Sequence, residues 1–375
     1  MARYSTRSKS RAVQVWISRL LAITLALALW LIPLPPAWVE RVYSSSFYLA
    51  WQQKITPLAN HVPFALFDLF AAIAAIALIV QWILRWRAIK QGAARLRQLA
   101  LAVFDVVCLA AVLYIFFALS WGLNYQRPPL ESRLDFDSSR VTHASVSALA
   151  QTAVASLNRL QPLAAQQPWP GYEATRYTLS RSFDVAQLSL GQKTKAEAGT
   201  PKSTLLNVYF RMAAIDGMTD PFFLETMVSD DALPVERPFI IAHEWGHLAG
   251  YASEAEANFV GWLTCQDAGE QAQYSAWLAL YWHLAAALPP PERRALDANL
   301  NENVKRDLRA IAERYTQSAP RVRVMAWALY DRFLKANRVS EGIASYEGVV
   351  SLVVGTRFTH GWTPALKSAS LSRQN

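Results

Sequence analysis

The chain has 375 residues, enough for two or three structural units, and is 53% hydrophobic with only 17% charged residues and 14 tryptophans. Residues 1–100 hold 12 Lys or Arg against two acids, whereas the other 275 residues hold 25 basic and 26 acidic groups, so the net charge of +9 belongs to the N-terminal part alone. That asymmetry excludes a nucleic-acid footprint spread over a globular domain and reads as a membrane-topology signal; abundant Trp fits a membrane–water boundary.

Residues 1–11 are basic and polar, and residues 15–34 form a run of about bilayer-spanning length. Arg19 sits near its start, where a long side chain can snorkel. A cleaved signal peptide is the rival reading, but residues 33–37 are a poor small-residue cleavage site and further apolar runs follow. Residues 35–63 read as a loop with several aromatics. A second span is expected at 64–84, with Asp68 near its start at the interface. The stretch 85–97 then carries five positive charges and no negative one. A third span follows at 99–121, with Asp105 expected to face the helix bundle. The positive-inside rule puts the N-terminus and the 85–97 turn in the cytoplasm, and everything after the third span outside. The two cysteines, Cys108 and Cys265, are not expected to pair, because Cys108 lies in the third span.

Residues 1–123 are thus expected to form a membrane domain, 124–136 a linker, 137–365 a globular domain and 366–375 a disordered tail. Residues 144–165 have helical periodicity. Residues 204–210 and 222–228 are short, β-branched and aromatic, and predict strands with Gly217 in the turn between them. Helices are predicted from Pro238 to Gly250, 253–266, 271–288, 292–317 and 321–337, with Asn337 a left-handed cap, and a last one over 344–355. The fold class is mainly α: three transmembrane helices, then a mostly helical α+β domain of zincin-like type with a small β-element.

The most informative stretch is His243-Glu244-Trp-Gly-His247, an HExxH motif. On a helix His243 and His247 share one face, so both can ligate one zinc ion, with Glu244 as general base. Two histidines merely satisfied on a helix face are the bland alternative. The apolar flank Ile240-Ile-Ala and the uncharged Trp245-Gly246 argue against it, since a buried Glu between two buried His needs a strong partner. In the extended pattern HExxHxxGxxH the third ligand would stand at Ser253, which excludes that class. The alternatives are Glu254 and Glu256 on the next helix. Glu254 is preferred as the metal ligand, with Asn258 one turn on as a hydrogen-bond partner to a ligand His. Glu256 is then the capping residue of a Ser253-x-x-Glu256 box. An intramembrane protease is set aside, because Glu236 and Arg237 leave too short an apolar run around the motif.

Several stretches together carry a resemblance: Pro63-Phe64-Ala-Leu-Phe-Asp68, Trp121-Gly-Leu-Asn-Tyr125, residues 238–247, Gly250, Glu254-Ala-Glu256-Ala-Asn258-Phe259, and Leu334-Lys335-Ala-Asn337 with Gly342, Ser345, Tyr346, Val349 and Val350. The chain resembles a family of bacterial membrane proteins known as domain of unknown function 3810, whose members resemble HExxH-plus-Glu, gluzincin-like zinc metallopeptidases. Glu254-x-x-Ala-Asn258 is also similar to the ExxAD helix of membrane-bound HExxH peptidases, with Asn in place of Asp. The resemblance implies a zinc-dependent hydrolase and leaves the substrate open.

The expected activity is hydrolysis of peptide bonds outside the cytoplasmic membrane, with the lipid bilayer and a peptide or protein substrate as partners. Tyr346, His283, His360 and Arg211 are candidate oxyanion donors, Tyr346 first because of its place in the resemblance. The strand at 222–228 is a candidate for β-addition of an extended substrate. The runner-up is a membrane protein whose zinc is structural, acting as an envelope sensor or scaffold; a transporter has too few spans.

Overall fold

A computed structural model describes residues 2–339 and 348–367. Three helices dominate the N-terminal third: α1 (Ala2–Leu31), α4 (Leu66–Lys90) and α5 (Arg95–Ser120). Each is long and apolar enough to cross a membrane, α1 through its Val13–Leu31 portion. A 25-residue helix is about 38 Å long, more than the roughly 30 Å of a hydrocarbon core. Their surfaces are almost wholly unburied by protein. Asp105, inside α5, faces the bundle as expected, pairing with Arg19 of α1 at 2.9 Å and Arg85 of α4 at 2.5 Å.

The stretch expected as an aromatic loop is helical instead. It forms α2 (Pro36–Trp38), a π-helical turn at Val39–Tyr48, and α3 (Leu49–Asn60). Val39, Tyr43, Tyr48 and Leu49 are buried in the main core. Aromatics spaced along a polar stretch look like a loop in one dimension; here they have a protein surface to cover. The 124–136 stretch also packs, with Leu130 and Leu134 buried.

The rest of the chain comprises α6 (His143–Ala164), α7 (Tyr172–Ser189), β1 (Pro201–Lys202), α8 (Asn207–Ala213), β2 (Gly217–Thr219), β3 (Thr226–Val228), α9 (Arg237–Leu248), α10 (Glu254–Gln266), α11 (Glu270–Ala287), α12 (Pro290–Ala298), α13 (Glu302–Thr316), α14 (Pro320–Ala336) and α15 (Gly348–Gly355). Helices α6, α7, α9, α10, α11 and α15 pack around one core in which Trp245, Trp262 and Trp277 are fully buried. The tryptophans therefore divide: some fill this core, while Trp16, Trp30, Trp82 and Trp86 stand exposed on the apolar helices.

The sequence predicts most of these helices, with four corrections. The 204–210 run is not a strand but leads into α8, because a short apolar run does not distinguish helix from strand by period alone. Residues 292–317 form two helices, separated at Asn299–Asn301, where the Asn301 amide is held by Asn158. The left-handed residue after α14 is Arg338, not Asn337. Leu366, placed in the tail, bridges to Leu134. Helix α7 has no counterpart in the sequence reading.

The small sheet has the order β1-β3-β2, with β1 parallel and β2 antiparallel to β3. β3 is therefore paired on both sides and cannot accept an added strand. The edge strand beside α9 is β2, and it contains Gly217, which was expected in a turn.

The sheet also locks the two regions together. Lys202 of β1 and Glu225, before β3, form a buried ion pair at 2.5 Å. Glu225 in turn accepts the Leu66 and Phe67 amides at 3.1 Å each, capping the first turn of α4. Asp68 accepts from Thr204 Oγ1 at 2.7 Å and the Leu205 amide at 2.8 Å, which suits the interfacial role expected of it. Ser120, ending α5, donates to the Pro221 carbonyl at 2.7 Å. All these bonds lie at one end of the three apolar helices, opposite the basic turn between α4 and α5.

Candidate metal centre

Helix α9 begins with Pro238 in its first turn and is buried along most of its length. It ends at a left-handed Gly250 with φ +81°, where the Tyr251 amide returns to the Gly246 carbonyl at 3.2 Å. The chain reverses through residues 251–253 and starts α10 at Glu254. Ser253 makes no side-chain cap. Glu256 is not a capping residue either: its Oε1 accepts the Leu130 amide at 2.6 Å, across 126 residues. The carboxylate thus satisfies a backbone amide of the 124–136 stretch instead of the start of its own helix.

Helices α9 and α10 approach closely at two glycines. A Cβ on Gly246 would stand 3.0 Å from the backbone of Ala257, and one on Gly261 only 2.8 Å from the His243 amide nitrogen. That contact sets Glu254 across from the histidines. The ligand atoms of His243, His247 and Glu254 all lie within 4.8 Å of one another. Glu254 Oε2 faces His243 Nε2 at 3.3 Å and His247 Nε2 at 3.6 Å. It is buried and no hydrogen bond reaches it among the described residues. The imidazoles stand 4.8 Å apart, perpendicular to each other.

His247 is oriented from behind: its Nδ1 meets the Tyr251 carbonyl at 2.8 Å. A proton on Nδ1 makes Nε2 the nitrogen turned to Glu254, the orientation typical of a metal-ligating histidine. His243 Nδ1 and Asn258 Nδ2 are buried without partners among the described residues, so the expected Asn258–His bond is not formed there. Burial lowers the His247 pKa, but the Glu254 charge outweighs it and lifts it to about 9. Burial raises that of Glu254, and the two imidazoles overcome it and hold the carboxyl well below the usual range. The three groups thus attract a positive charge between them. Two imidazole nitrogens and one carboxylate, with an orphaned buried oxygen facing both, fit a borderline-soft divalent cation such as zinc.

Glu244 stands beside the histidines on α9, close enough for both imidazoles to act on its carboxyl. Thr219 Oγ1 is 2.9 Å from Glu244 Oε2 and 2.8 Å from the Glu244 carbonyl oxygen, tying the edge strand to the motif. A Cβ on Gly217 would come within 2.7 Å of Glu244 Oε1, so only glycine leaves that carboxyl its room. Burial raises the Glu244 pKa against the opposing pull of His243 and His247.

Of the other candidates, His283 on α11 lies close enough to His243 for the charges to interact; burial, then that charge, lowers its pKa to about 4. His360 is exposed, and Arg211 is exposed and ion-paired with Asp230 at 3.3 Å. Tyr346 lies outside the described residues. Sequence reasoning missed Tyr330, whose hydroxyl donates to Glu254 Oε1 from α14, 76 residues away. Nothing in its local sequence marks it.

The end of α9 is held by residues from the membrane-proximal region. Tyr48 Oη donates to the Leu248 carbonyl at 2.8 Å, and Trp121 Nε1 to that of His247 at 3.0 Å. Arg127 donates to the Gly250 carbonyl at 3.0 Å, stacks on Tyr251 and pairs with Glu40 at 2.5 Å. These donors satisfy the carbonyls that a helix leaves open at its C-terminus. The Trp121–Tyr125 stretch, visible as a motif, takes its meaning from this contact.

Neither a curated protein nor a solved structure matches the chain. One family model does match, over residues 43–354, so it takes in the capping residues at 48, 121 and 127 as well as the motif itself. The chain belongs to the family described as Protein of unknown function (DUF3810).

Proposed function

We propose that the protein is a membrane-anchored zinc-dependent metallopeptidase. The observation that carries this reading is the convergence of His243, His247 and Glu254, with the Glu244 carboxyl held by Thr219 beside an edge strand. His243, His247 and Glu254 would hold the ion. Zinc with three protein ligands supplies a Lewis acid and acidifies water at its fourth position to a pKa of about 7.

The chain's own groups do the rest. Glu244 takes a proton from the attacking water as its oxygen bonds to the scissile carbonyl carbon. It then delivers that proton to the leaving amine as the carbon–nitrogen bond breaks. β2 offers a backbone edge along which an extended peptide can align, in place of β3. Tyr330, which donates to Glu254, and His283, within charge range of His243, are candidate donors to the developing oxyanion.

The anchor and its sidedness belong to the same proposal. The candidate centre lies at the end of the apolar helices opposite the basic turn, and positive turns stay in the cytoplasm. The catalytic unit is then extracytoplasmic. Alkaline phosphatase fused behind residue 375 of the full chain would be active; an inactive fusion on a stably expressed protein overturns the sidedness.

Metal analysis of the full-length protein in detergent tests the site. One equivalent of zinc is expected, lost in His243→Ala and in Glu254→Ala and retained in Glu244→Gln, with peptide hydrolysis abolished in all three. A wild-type protein that binds no zinc sinks the reading. Stoichiometric zinc without Glu244-dependent hydrolysis of any peptide in a library would identify a sensor or scaffold instead.

A further inference from the structure

Helix α14 has two working faces. Its inner face carries Tyr330 to Glu254 and buries Ala326 and Leu334. Its outer face exposes Val324, Met325, Trp327 and Leu329, each more than half accessible. The neighbouring segment adds Leu205 and Val208, 83% and 67% exposed. Contiguous large apolar side chains left uncovered mark an interaction surface rather than a solvated one.

The position of this surface says what covers it. The two helices form a strap fastened at both ends to the same end of the apolar helices. At one end the Leu205 amide donates to Asp68, in the first turn of α4. In the middle the Ala319 amide donates to the Met212 carbonyl at 3.0 Å, joining α8 to the start of α14. At the other end Arg338 donates to the Trp30 carbonyl at 3.0 Å, and Phe333 packs edge-on against Phe117 near the end of α5. The 17-residue α14, about 25 Å long, thus has its C-terminal end at the last turns of the spans and its start against α8. Its charges are Arg321, Arg323, Arg332 and Lys335 against Asp331. Net basic charge with Trp and Leu on one helix is the composition of an interfacial helix.

We propose that the outer face of α14, with the Leu205–Val208 segment, lies in the interfacial layer of the bilayer that the apolar helices cross. The occupant of this surface is lipid. The candidate centre then lies directly beneath a lipid-bathed helix, at membrane level rather than out in the aqueous space.

Site-directed spin labelling of the full-length protein in phospholipid vesicles tests this. Cys108 and Cys265 are both buried, so unsubstituted protein serves as the labelling blank. Nitroxides are placed by Met325→Cys and Val208→Cys. Leu119→Cys on the exposed flank of α5 gives the lipid reference, and Glu313→Cys the aqueous one. The ratio of oxygen to water-soluble nickel-chelate collision is expected to rise several-fold above the Glu313 value at both test sites, towards that of Leu119. Should either test variant not fold, Leu329→Cys replaces it.

A ratio equal to that of Glu313 overturns the proposal. Exclusion of both reagents also overturns it: with dipolar broadening between labels a second copy covers the face, and without it another protein does. The result does not depend on metal or hydrolysis. A water-like Leu119 label would instead show the spans themselves misassigned.

Discussion

The indole nitrogen of Trp121 donates to the main-chain oxygen of His247 at 3.0 Å, so the first residue after α5 holds the last turn of the candidate metal helix. Both groups are buried. Trp121→Phe is expected to leave that carbonyl unpaired and to cost about 1–3 kcal/mol of stability. Thermal denaturation in detergent, compared with Trp16→Phe on the exposed flank of α1, checks it. Equal melting of the two variants would show that the bond contributes nothing.

Gly261 separates α10 from the backbone of His243 at a distance no Cβ tolerates. The atoms it would meet are main chain and cannot swing away. Gly261→Ala is therefore expected to push the two helices apart, costing about 1–3 kcal/mol and weakening metal retention. Gly171→Ala, where nothing lies within 4 Å, is the neutral comparison. Competition against a chelator measures the retention; unchanged zinc affinity in a folded Gly261→Ala protein would refute the idea that this contact sets the ligand spacing.

Tyr330 reaches Glu254 Oε1 and leaves Oε2 turned towards the histidines. Removing a hydrogen bond to a ligand carboxylate typically weakens a metal site by about 10–100-fold. Tyr330→Phe should therefore bind zinc at least about tenfold more weakly while keeping its melting profile in the metal-free state. If affinity holds and only turnover falls, the hydroxyl acts on the substrate instead.

Asp220 follows the edge strand and accepts the Phe222 and Phe223 amides at 3.0 and 2.7 Å. Burial raises its pKa from 3.8 to about 7, against the pull of those two amides. The folded state then holds its proton over a range where the unfolded state has lost it. The resulting stabilisation is complete below pH 3.8 and is lost as pH rises to about 7. The stability difference between wild type and Asp220→Asn should shrink in the wild type's disfavour across that window. A difference that stays flat from pH 4 to 7 contradicts this assignment.

The apolar helices and the helices of the HExxH region are legible because each is set by a local period or an unbroken apolar run. His243, His247 and Glu244 are legible for the same reason: one helical turn places them, whatever surrounds them. Glu254 against Glu256 is different. Both stand in the first turn of α10, and only the approach of α10 to α9 at Gly246 and Gly261 decides which faces the histidines and which reaches Leu130. The short segments around 204–228 misled because two or three strand residues carry too little pattern to oppose a helix, and their pairing is nonlocal. Tyr330, Trp121 and Arg127 gain their roles across 76 or more residues, through contacts that no local spacing encodes. The sequence by itself determined that His243 and His247 share one helix face and which segments are apolar enough for a bilayer. The tertiary structure alone decided that the end of α9 is capped by the stretches that follow those segments, because hydrogen bonds from Tyr48, Trp121 and Arg127 to the end of α9 exist only once the helices have packed.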